Sequence, residues 1–168
     1  IFAGEIVPVT APAARRKDPA VEVTEDEHMR PGTTVEKLAG LRPVMGRQDE
    51  QATVTAGNAS GQNDGAAAMI VTTRAKAEAL GLEPMAKLAG WAVAGVAPET
   101  MGIGPAPATA KALGRLGLTL DDMDVIELNE AFAAQALAVL AEWGVDATDP
   151  RLNPHGSGIS MGHPVGAT

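Results

Sequence analysis

The sequence predicts an α/β fold, in which helices are layered on the faces of mixed sheets. Two observations support this prediction: apolar or β-branched runs alternate with runs of helix-forming residues, and two of the helical runs stop at a glycine. Hydrophobic residues make up 45% of the chain and charged residues 20%, which is the balance of a folded globular protein. Aromatic residues make up only 2%, so the core must consist mainly of aliphatic side chains.

Strands are predicted where β-branched or continuous apolar residues lack helical spacing. The predicted strands are EIVPV at 5–9, with Pro8 at an edge or bulge, the start of TVTAGNASG at 53, AAAMIVTT at 66–73, MAKLAGWAVAGVAP at 85–98 and DVIELN at 124–129. The run at 66–73 is apolar at nearly every position, which is typical of a strand buried on both faces.

Helices are predicted where good helix formers run towards a stop signal. They are VEKLAGL at 35–41, RAKAEALG ending at Gly81, PAPATAKALGRLGL at 105–118 and AFAAQALAVLAEWG ending at Gly144. Residues 11–34 are rich in charge, Pro and Gly and are interpreted as a surface excursion. The last sixteen residues, 153–168, hold two histidines, two prolines and four glycines, and this composition predicts a loop rather than an ordinary helix.

The composition also argues against several classes of function. The net charge of −8 disfavours binding to a nucleic-acid backbone, which needs clustered Lys and Arg. The chain has no cysteine, so a disulfide scaffold or a thiolate metal site is excluded within these residues. No apolar run reaches the length of a membrane span and no signal-peptide pattern opens the chain, so a membrane partner is not expected. The chain starts on IFAGEIVPVT rather than on methionine, and we expect it to be part of a longer one.

The first candidate site is the loop GNASG at 57–61, where small side chains allow a ligand to approach the backbone and Ser60 offers a hydroxyl. The alternative is a tight turn without a ligand. The second is LNEAFAAQ, where a predicted strand runs into a helix. Asn129 there either points its amide outward to fix a water or a carbonyl, or serves only as the N-cap. Phe132 by itself is more often a core residue than a ligand contact.

The third candidate site is GHP at 162–164. Histidine suits proton transfer near neutral pH, and the flanking Gly and Pro fix the backbone so that the ring of His163 can be aimed at one point. A satisfied structural histidine is the competing interpretation. His155 in the same loop raises the question of metal binding, but His28 is the only other histidine and no cysteine is present, so no metal site is predicted.

Taken in order, TAGNASGQNDGAA, ELNEAFAAQ and NPHGSGISMGHPVGAT, together with the intervening MGIGPAPATAKAL, resemble the thiolase family over essentially the whole chain. The resemblance implies a thiolase-like fold of two similar α/β halves and an inserted loop region that holds coenzyme A, incomplete in this chain. It assigns residues 1–64 to the end of the inserted region, 65–83 to the last strand and helix of the N-terminal half, and 84–168 to the first part of the C-terminal half.

The implied activity is thiolytic cleavage of 3-ketoacyl-CoA, or the reverse Claisen condensation of two acyl-CoA molecules, as in fatty acid metabolism. The resemblance places the nucleophilic cysteine upstream of these residues and a second, acid/base cysteine downstream, so the 168 residues alone are not expected to be catalytic. His163 matches the histidine that polarises the nucleophile towards thiolate and helps to stabilise an oxyanion. Asn129 matches the asparagine that holds a water in the same oxyanion hole.

The resemblance also implies a binding site for coenzyme A, which is a substrate here rather than a bound cofactor. Ser60 and Ala56 match residues at the pantetheine arm, Phe132 and Ala131 match the lining of the pantetheine tunnel, and Arg30 falls near the arginine at the adenine and phosphate end. A homodimer or homotetramer and a cytoplasmic location are expected with it. Gly156-Ser157 departs from the Gly-Gly of many thiolases, and His155 stands where Asn is frequent.

Two other interpretations remain beside the enzymatic one. The chain can belong to a protein on the thiolase scaffold that binds coenzyme A without turnover, in which case His163 and Asn129 are relics. It can also be a purely structural piece of a longer protein. An acylated cysteine in the full-length protein separates the first interpretation from the other two.

Overall fold

A computed structural model of the chain describes residues 2–13, 15 and 17–168. Ile1, in the opening segment, and Ala14 and Arg16, in the predicted surface excursion, lie outside the described residues. In chain order the elements are a 3-10 helix at Phe2–Gly4, β1 at Val9–Ala11, β2 at Val21–Val23, α1 at Val35–Ala39, α2 at Arg74–Ala79, a 3-10 helix at Pro98–Ile103, α3 at Pro105–Leu116, a 3-10 helix at Leu120–Asp122, α4 at Ala133–Trp143 and α5 at Gly158–Met161.

The two strands form an antiparallel hairpin, in which Val9 lies opposite Val23 and Ala11 opposite Val21. The strand predicted at 5–9 is therefore wrong except at its last residue. Pro8 cannot donate to a ladder, and the pairing begins directly after it. The surface excursion contains β2, which the prediction missed because a run of three residues is too short to display a period.

The predicted helices are confirmed, and their ends have local causes. The side chains of Thr34 and Thr73 accept hydrogen bonds from backbone N–H groups in the first turns of α1 and α2. Gly117 and Gly144 follow α3 and α4 at φ +67°, the left-handed conformation that glycine adopts without steric cost. Proline stands in the first turn of α3, where its missing N–H has no intrahelical acceptor to lose.

The strands predicted from apolar runs are mostly wrong. Residues 66–73 and 85–97 form no strand, and Ile70 is 90% exposed rather than buried on both faces. Backbone ladders need a neighbouring chain segment, and no described segment pairs with either run. The segment starting at 53 forms turns, and the run at 124–129 contributes only a single parallel bridge between Ile126 and Leu152.

The terminal segment 153–168 is a loop except at its centre, where α5 forms a single helical turn. The prediction of a loop throughout was therefore wrong at 158–161. Ser157 and Ser160 build a capping box, in which each side chain pairs with the backbone N–H of the other. Such reciprocal capping satisfies donors that a turn this short would otherwise leave free.

A small apolar core joins α4 to the segment at 124–129. Ala136, Val139 and Leu140 occupy positions i, i+3 and i+4 of α4, and they are buried together with Leu128. Ile103, Trp143, Val145 and Leu152 pack around this cluster. Burying each Leu or Val contributes about 1.5–3 kcal/mol. This packing fixes the chain on both sides of Asn129, where the segment turns towards α4.

Candidate active site

Asn129 and His163 are 34 residues apart in the sequence, and the fold brings their side chains into contact. Nδ2 of Asn129 lies 3.1 Å from Nε2 of His163. An amide nitrogen only donates, so Nε2 accepts and the proton of the neutral ring is on Nδ1. Nδ1 lies 3.1 Å from Oγ1 of Thr168, whose hydroxyl in turn donates to the carbonyl of Pro164. The two predicted catalytic candidates thus form one hydrogen-bonded pair.

Ser157 positions the backbone on both sides of Asn129. Its Oγ donates to the carbonyl of Leu128 at 3.0 Å and accepts from the N–H of Glu130 at 3.2 Å. Gly158 packs directly against Asn129 and Glu130. A Cβ at this position would stand 2.9 Å from Oδ1 of Asn129 and 2.9 Å from the carbonyl oxygen of Glu130. The loop after residue 153 therefore leaves little space around Asn129 and restricts the orientation of its amide.

The loop at 57–61 joins the start of α4. The N–H of Ser60 donates to the carbonyl of Ala131 at 2.9 Å, and Ala59 forms an antiparallel bridge with Phe132. The N–H of Ala133 donates back to the carbonyl of Asn58 at 2.9 Å. Backbone bonds thus join the first candidate site, the loop at 57–61, to the second, the segment that carries Asn129 and Phe132. The Phe132 ring itself is exposed, at 44% of its full accessible area.

A cavity of about 1170 Å³ lies between this loop and residues 28–41. Its lining includes three of the residues assigned to coenzyme A, which are Arg30, Ala56 and Ser60. Ala131 and Phe132 are not among its lining residues. A second cavity, of about 340 Å³, lies against Asn129, Ser157 and Thr168. The large cavity thus holds Arg30, Ala56 and Ser60 and the small one Asn129, while His163, Ala131 and Phe132 line neither of them.

Arg151 holds the chain just before the run that carries Asn129. Its guanidinium donates to the carbonyls of Leu120 and Met123, each at 3.1 Å, and pairs with Asp149 at 2.7 Å. Hydrogen bonds from the Arg151 side chain, and then from its backbone, lower the pKa of Asp149 to about 2. The carboxylate therefore stays charged and keeps the guanidinium oriented towards both carbonyls at any ordinary pH.

Four residues that bond to the pair or to the segments beside it were missed by sequence reasoning: His28, Asn63, Asn153 and Ser157. Asn63, Asn153 and Ser157 lie in quoted motifs, but loop Asn and Ser residues commonly cap turns and gave no separate signal. His28 lies in the predicted surface excursion, where a single histidine gave no signal either. Among the described residues, no cluster of His, Asp and Glu could hold a metal ion. No helix in the described part of the chain is long and apolar enough to cross a bilayer.

Two family models match the chain. The sequence model described as "Thiolase, N-terminal domain" matches residues 1–75, and that described as "Thiolase, C-terminal domain" matches residues 82–168. The chain belongs to the thiolase family. The predicted boundaries at 64/65 and 83/84 stay a prediction.

Individual relatives support the same assignment. The β-ketoadipyl-CoA thiolase of Pseudomonas aeruginosa is 55% identical over 98% of this chain and 40% of its own length. The crystal structure of the Bacillus anthracis acetyl-CoA acetyltransferase is similar with a TM-score of 0.88 and 48% identity, covering 99% of this chain and 40% of that one. The structure of human mitochondrial 3-ketoacyl-CoA thiolase gives a TM-score of 0.78 and 37% identity, covering 95% and 38%.

These likenesses confirm the predicted thiolase-like α/β fold. The chain spans about 40% of the length of the relatives that it matches.

Proposed function

We propose that the chain is part of a thiolase that cleaves 3-ketoacyl-CoA with coenzyme A, or runs the reverse Claisen condensation, through an acyl-cysteine intermediate. The contact between Asn129 and His163 carries this proposal, since it joins the two motifs with a role in the family's chemistry at one point. The nucleophilic cysteine is proposed to lie outside these 168 residues, which contain none.

His163 is proposed to accept the proton of the attacking thiol on Nε2. In the observed pairing this nitrogen carries no proton and is an acceptor, as that step requires. The thiol proton then sits on Nε2, while Nδ1–H stays bonded to Thr168. The new Nε2–H cannot face the Nδ2 donor of Asn129, so the two groups turn towards the substrate. Both then donate, directly or through a water, to the oxygen on which negative charge develops.

The large cavity is proposed to hold coenzyme A. Arg30 supplies a cation for a phosphate, and Ser60 and Ala56 offer a hydroxyl and a small side chain at the pantetheine arm. Ala131 and Phe132 are proposed to contact the arm further along, where their backbone joins the loop of Ser60. No covalently bound cofactor is required, because coenzyme A and its thioesters are substrates.

The proposed function also leads us to infer an oligomeric state, a cellular location and a metabolic role. We infer a homodimer or homotetramer, a cytoplasmic location and a role in fatty acid metabolism. The Pseudomonas aeruginosa relative is a β-ketoadipyl-CoA thiolase, so 3-keto dicarboxylic acyl-CoA is a second substrate class to test. Turnover of acetoacetyl-CoA and 3-oxoadipyl-CoA by the full-length protein compares a simple acyl chain with one that ends in a carboxylate.

The test is intact mass spectrometry of the full-length protein that contains these residues, before and after incubation with acetyl-CoA. We expect one acetyl group on a cysteine, and strongly slowed acylation in His163→Ala. His155→Ala is the matched control, because this exposed histidine lies in the same loop and its ring stands edge-on to that of Phe2, with 6.5 Å between the centroids. An unmodified protein that still binds coenzyme A by calorimetry would instead favour a non-catalytic binding role.

A further inference from the structure

We infer that Asn63 is a positioning residue for His163, held in place by His28, and that it connects the wall of the coenzyme A cavity to the catalytic ring. This inference rests on the proposed function. Oδ1 of Asn63 accepts the backbone N–H of His163 at 3.1 Å, across 100 residues of sequence. The same N–H also approaches the carbonyl of Gly61 at 3.3 Å, and Gln62 forms a parallel bridge with His163.

His28 fixes the other end of the Asn63 amide. Nδ2 of Asn63 lies 3.3 Å from Nδ1 of His28 and donates to it, because an amide nitrogen only donates. The proton of the neutral ring is therefore on Nε2, which donates to the carbonyl of Ile159 at 3.1 Å. With this tautomer of His28, both of its ring nitrogens and both the oxygen and the nitrogen of the Asn63 amide have hydrogen-bond partners. Exchanging the oxygen and the nitrogen of the Asn63 amide would break these bonds, so the orientation of the amide is determined.

Two glycines keep this arrangement close-packed. A Cβ on Gly162 would lie 2.5 Å from Oδ1 of Asn63, and a Cβ on Gly61 would lie 2.5 Å from Cε1 of His28. Gly162 also has φ +99°, a conformation that other residues rarely adopt. The backbone directly before His163 therefore favours glycine at 162, which leaves room for the amide of Asn63.

His28 and Asn63 also line the large cavity, together with Arg30 and Ser60. The lining of the proposed coenzyme site is therefore hydrogen-bonded to the catalytic residue. His28 accepts from Asn63, and Asn63 accepts from the backbone N–H of His163. The ring of His163 in turn accepts from Asn129. A displacement of about 1 Å at a reacting group can cost about 100-fold in rate. Loss of Asn63 should therefore act on the chemical step even though its side chain does not reach the reacting atoms.

The experiment compares Asn63→Ala, Asn63→Asp and His28→Phe in the full-length protein, with thiolysis of acetoacetyl-CoA as the assay. We expect Asn63→Ala to lower kcat by about 10- to 100-fold, while KM for coenzyme A changes by a much smaller factor. Asn63→Asp keeps an acceptor for the N–H of His163 and should recover part of the lost kcat. His28→Phe should have an intermediate effect, and combining it with Asn63→Ala should add little further loss.

Thr73→Ala is the matched control. Thr73 also accepts a backbone N–H through its side chain, that of Lys76 at 3.3 Å, but it lines neither cavity. The variant should lose stability as Asn63→Ala does and keep its kcat. Equal losses of kcat in Thr73→Ala and Asn63→Ala, or no recovery in Asn63→Asp, would overturn the positioning role.

Crystal structures of the wild type and Asn63→Ala separate this inference from the proposed function. We expect the contact between Asn129 and His163, 3.1 Å here, to lengthen beyond hydrogen-bonding distance in the variant. A wild type without thiolase activity would reject the proposed function, and a displaced ring would still support Asn63 as the residue that positions His163. An unmoved ring in the variant would overturn the inference whatever the activity.

Discussion

The side chain of Asn153 pairs with the backbone of Leu128 as a neighbouring strand would. Its Oδ1 accepts the N–H of Leu128 at 2.8 Å, and its Nδ2 donates to the carbonyl of the same residue at 2.8 Å. Asn153 has φ +42°, a conformation that asparagine tolerates better than most residues. Leu128 directly precedes Asn129, so the side chain of Asn153 fixes the backbone next to a catalytic candidate.

We expect Asn153→Ala to destabilise the full-length protein by about 1–3 kcal/mol, the cost of one unsatisfied buried group. The carbonyl of Leu128 keeps a partner in the hydroxyl of Ser157, but its N–H loses its acceptor. The midpoint of urea unfolding measures this change, and kcat should fall because Asn129 is less well held. Thr73→Ala is again the comparison, and an equal effect of the two variants on kcat would contradict this role of Asn153.

Gly158→Ala also tests whether the position of Asn129 matters for turnover. The added Cβ would stand 2.9 Å from Oδ1 of Asn129 and 2.9 Å from the carbonyl oxygen of Glu130, so something must shift. We expect kcat to fall by about 10-fold or more, because a small misplacement of a catalytic group is costly.

Gly114→Ala is the matched control for that variant. Gly114 lies inside α3 with no atom within 4 Å of its would-be Cβ, so alanine should stabilise the helix by about 0.5–1 kcal/mol and leave kcat unchanged. Steady-state kinetics and thermal unfolding of both variants complete the test. Normal turnover in Gly158→Ala would mean that the position of Asn129 is not critical.

The helices α1 to α4 could be predicted from the sequence and the strands could not, for a physical reason. The ends of α2 and α4 depend on residues within a turn, such as Thr73 and Gly144, and these signals are local. A strand depends on a partner that is distant in the sequence. The run at 66–73 has the composition of a buried strand, but no described segment pairs with it.

The same distinction applies to the site. His163 and Asn129 could be singled out from the sequence because each lies in a local motif, while their catalytic roles follow from the resemblance to thiolases and stay a prediction. Asn63 and Asn153 could not, since a loop asparagine gains its meaning only from the residue that it contacts. That contact lies 100 residues away for Asn63 and 25 residues away for Asn153.

The ion pair of Asp149 and Arg151 predicts a pH dependence of stability. The hydrogen bonds from Arg151 lower the pKa of Asp149 from 3.8 to about 2 in the folded protein. Because the folded pKa is depressed, the pair stabilises the fold fully above pH 3.8, and this contribution is lost as the pH falls towards 2.

We therefore expect Asp149→Asn to lower the melting temperature at neutral pH and to approach the wild type as the pH falls from 3.8 towards 2. Thermal unfolding at a series of pH values measures the gap between the two proteins. Asp18→Asn removes a charge from an exposed carboxylate elsewhere and should show no such convergence. A gap that stays constant down to pH 2 would mean that the pair does not supply the stability.

The exposed apolar runs predict the behaviour of the 168 residues expressed alone. Met69, Ile70 and Val71 are each more than three-quarters exposed, and Met85, Leu88, Trp91 and Val93 are each at least two-thirds exposed. Contiguous apolar surface of this kind drives association, and unpaired backbone beside it offers a template for strand pairing. The buried core, by contrast, consists of a few residues around α4 and offers little to oppose that tendency.

We expect the isolated chain to form large assemblies on size exclusion chromatography and to bind a hydrophobic dye strongly. Substituting Ile70 and Val71 with Lys should shift the profile towards smaller species, because charge on an exposed run opposes pairing. The same changes in the full-length protein should be disruptive if these residues are covered there by partner strands. A clean monomer for the unsubstituted chain would show that these runs are not adhesive and that the fold needs no further sheet to cover them.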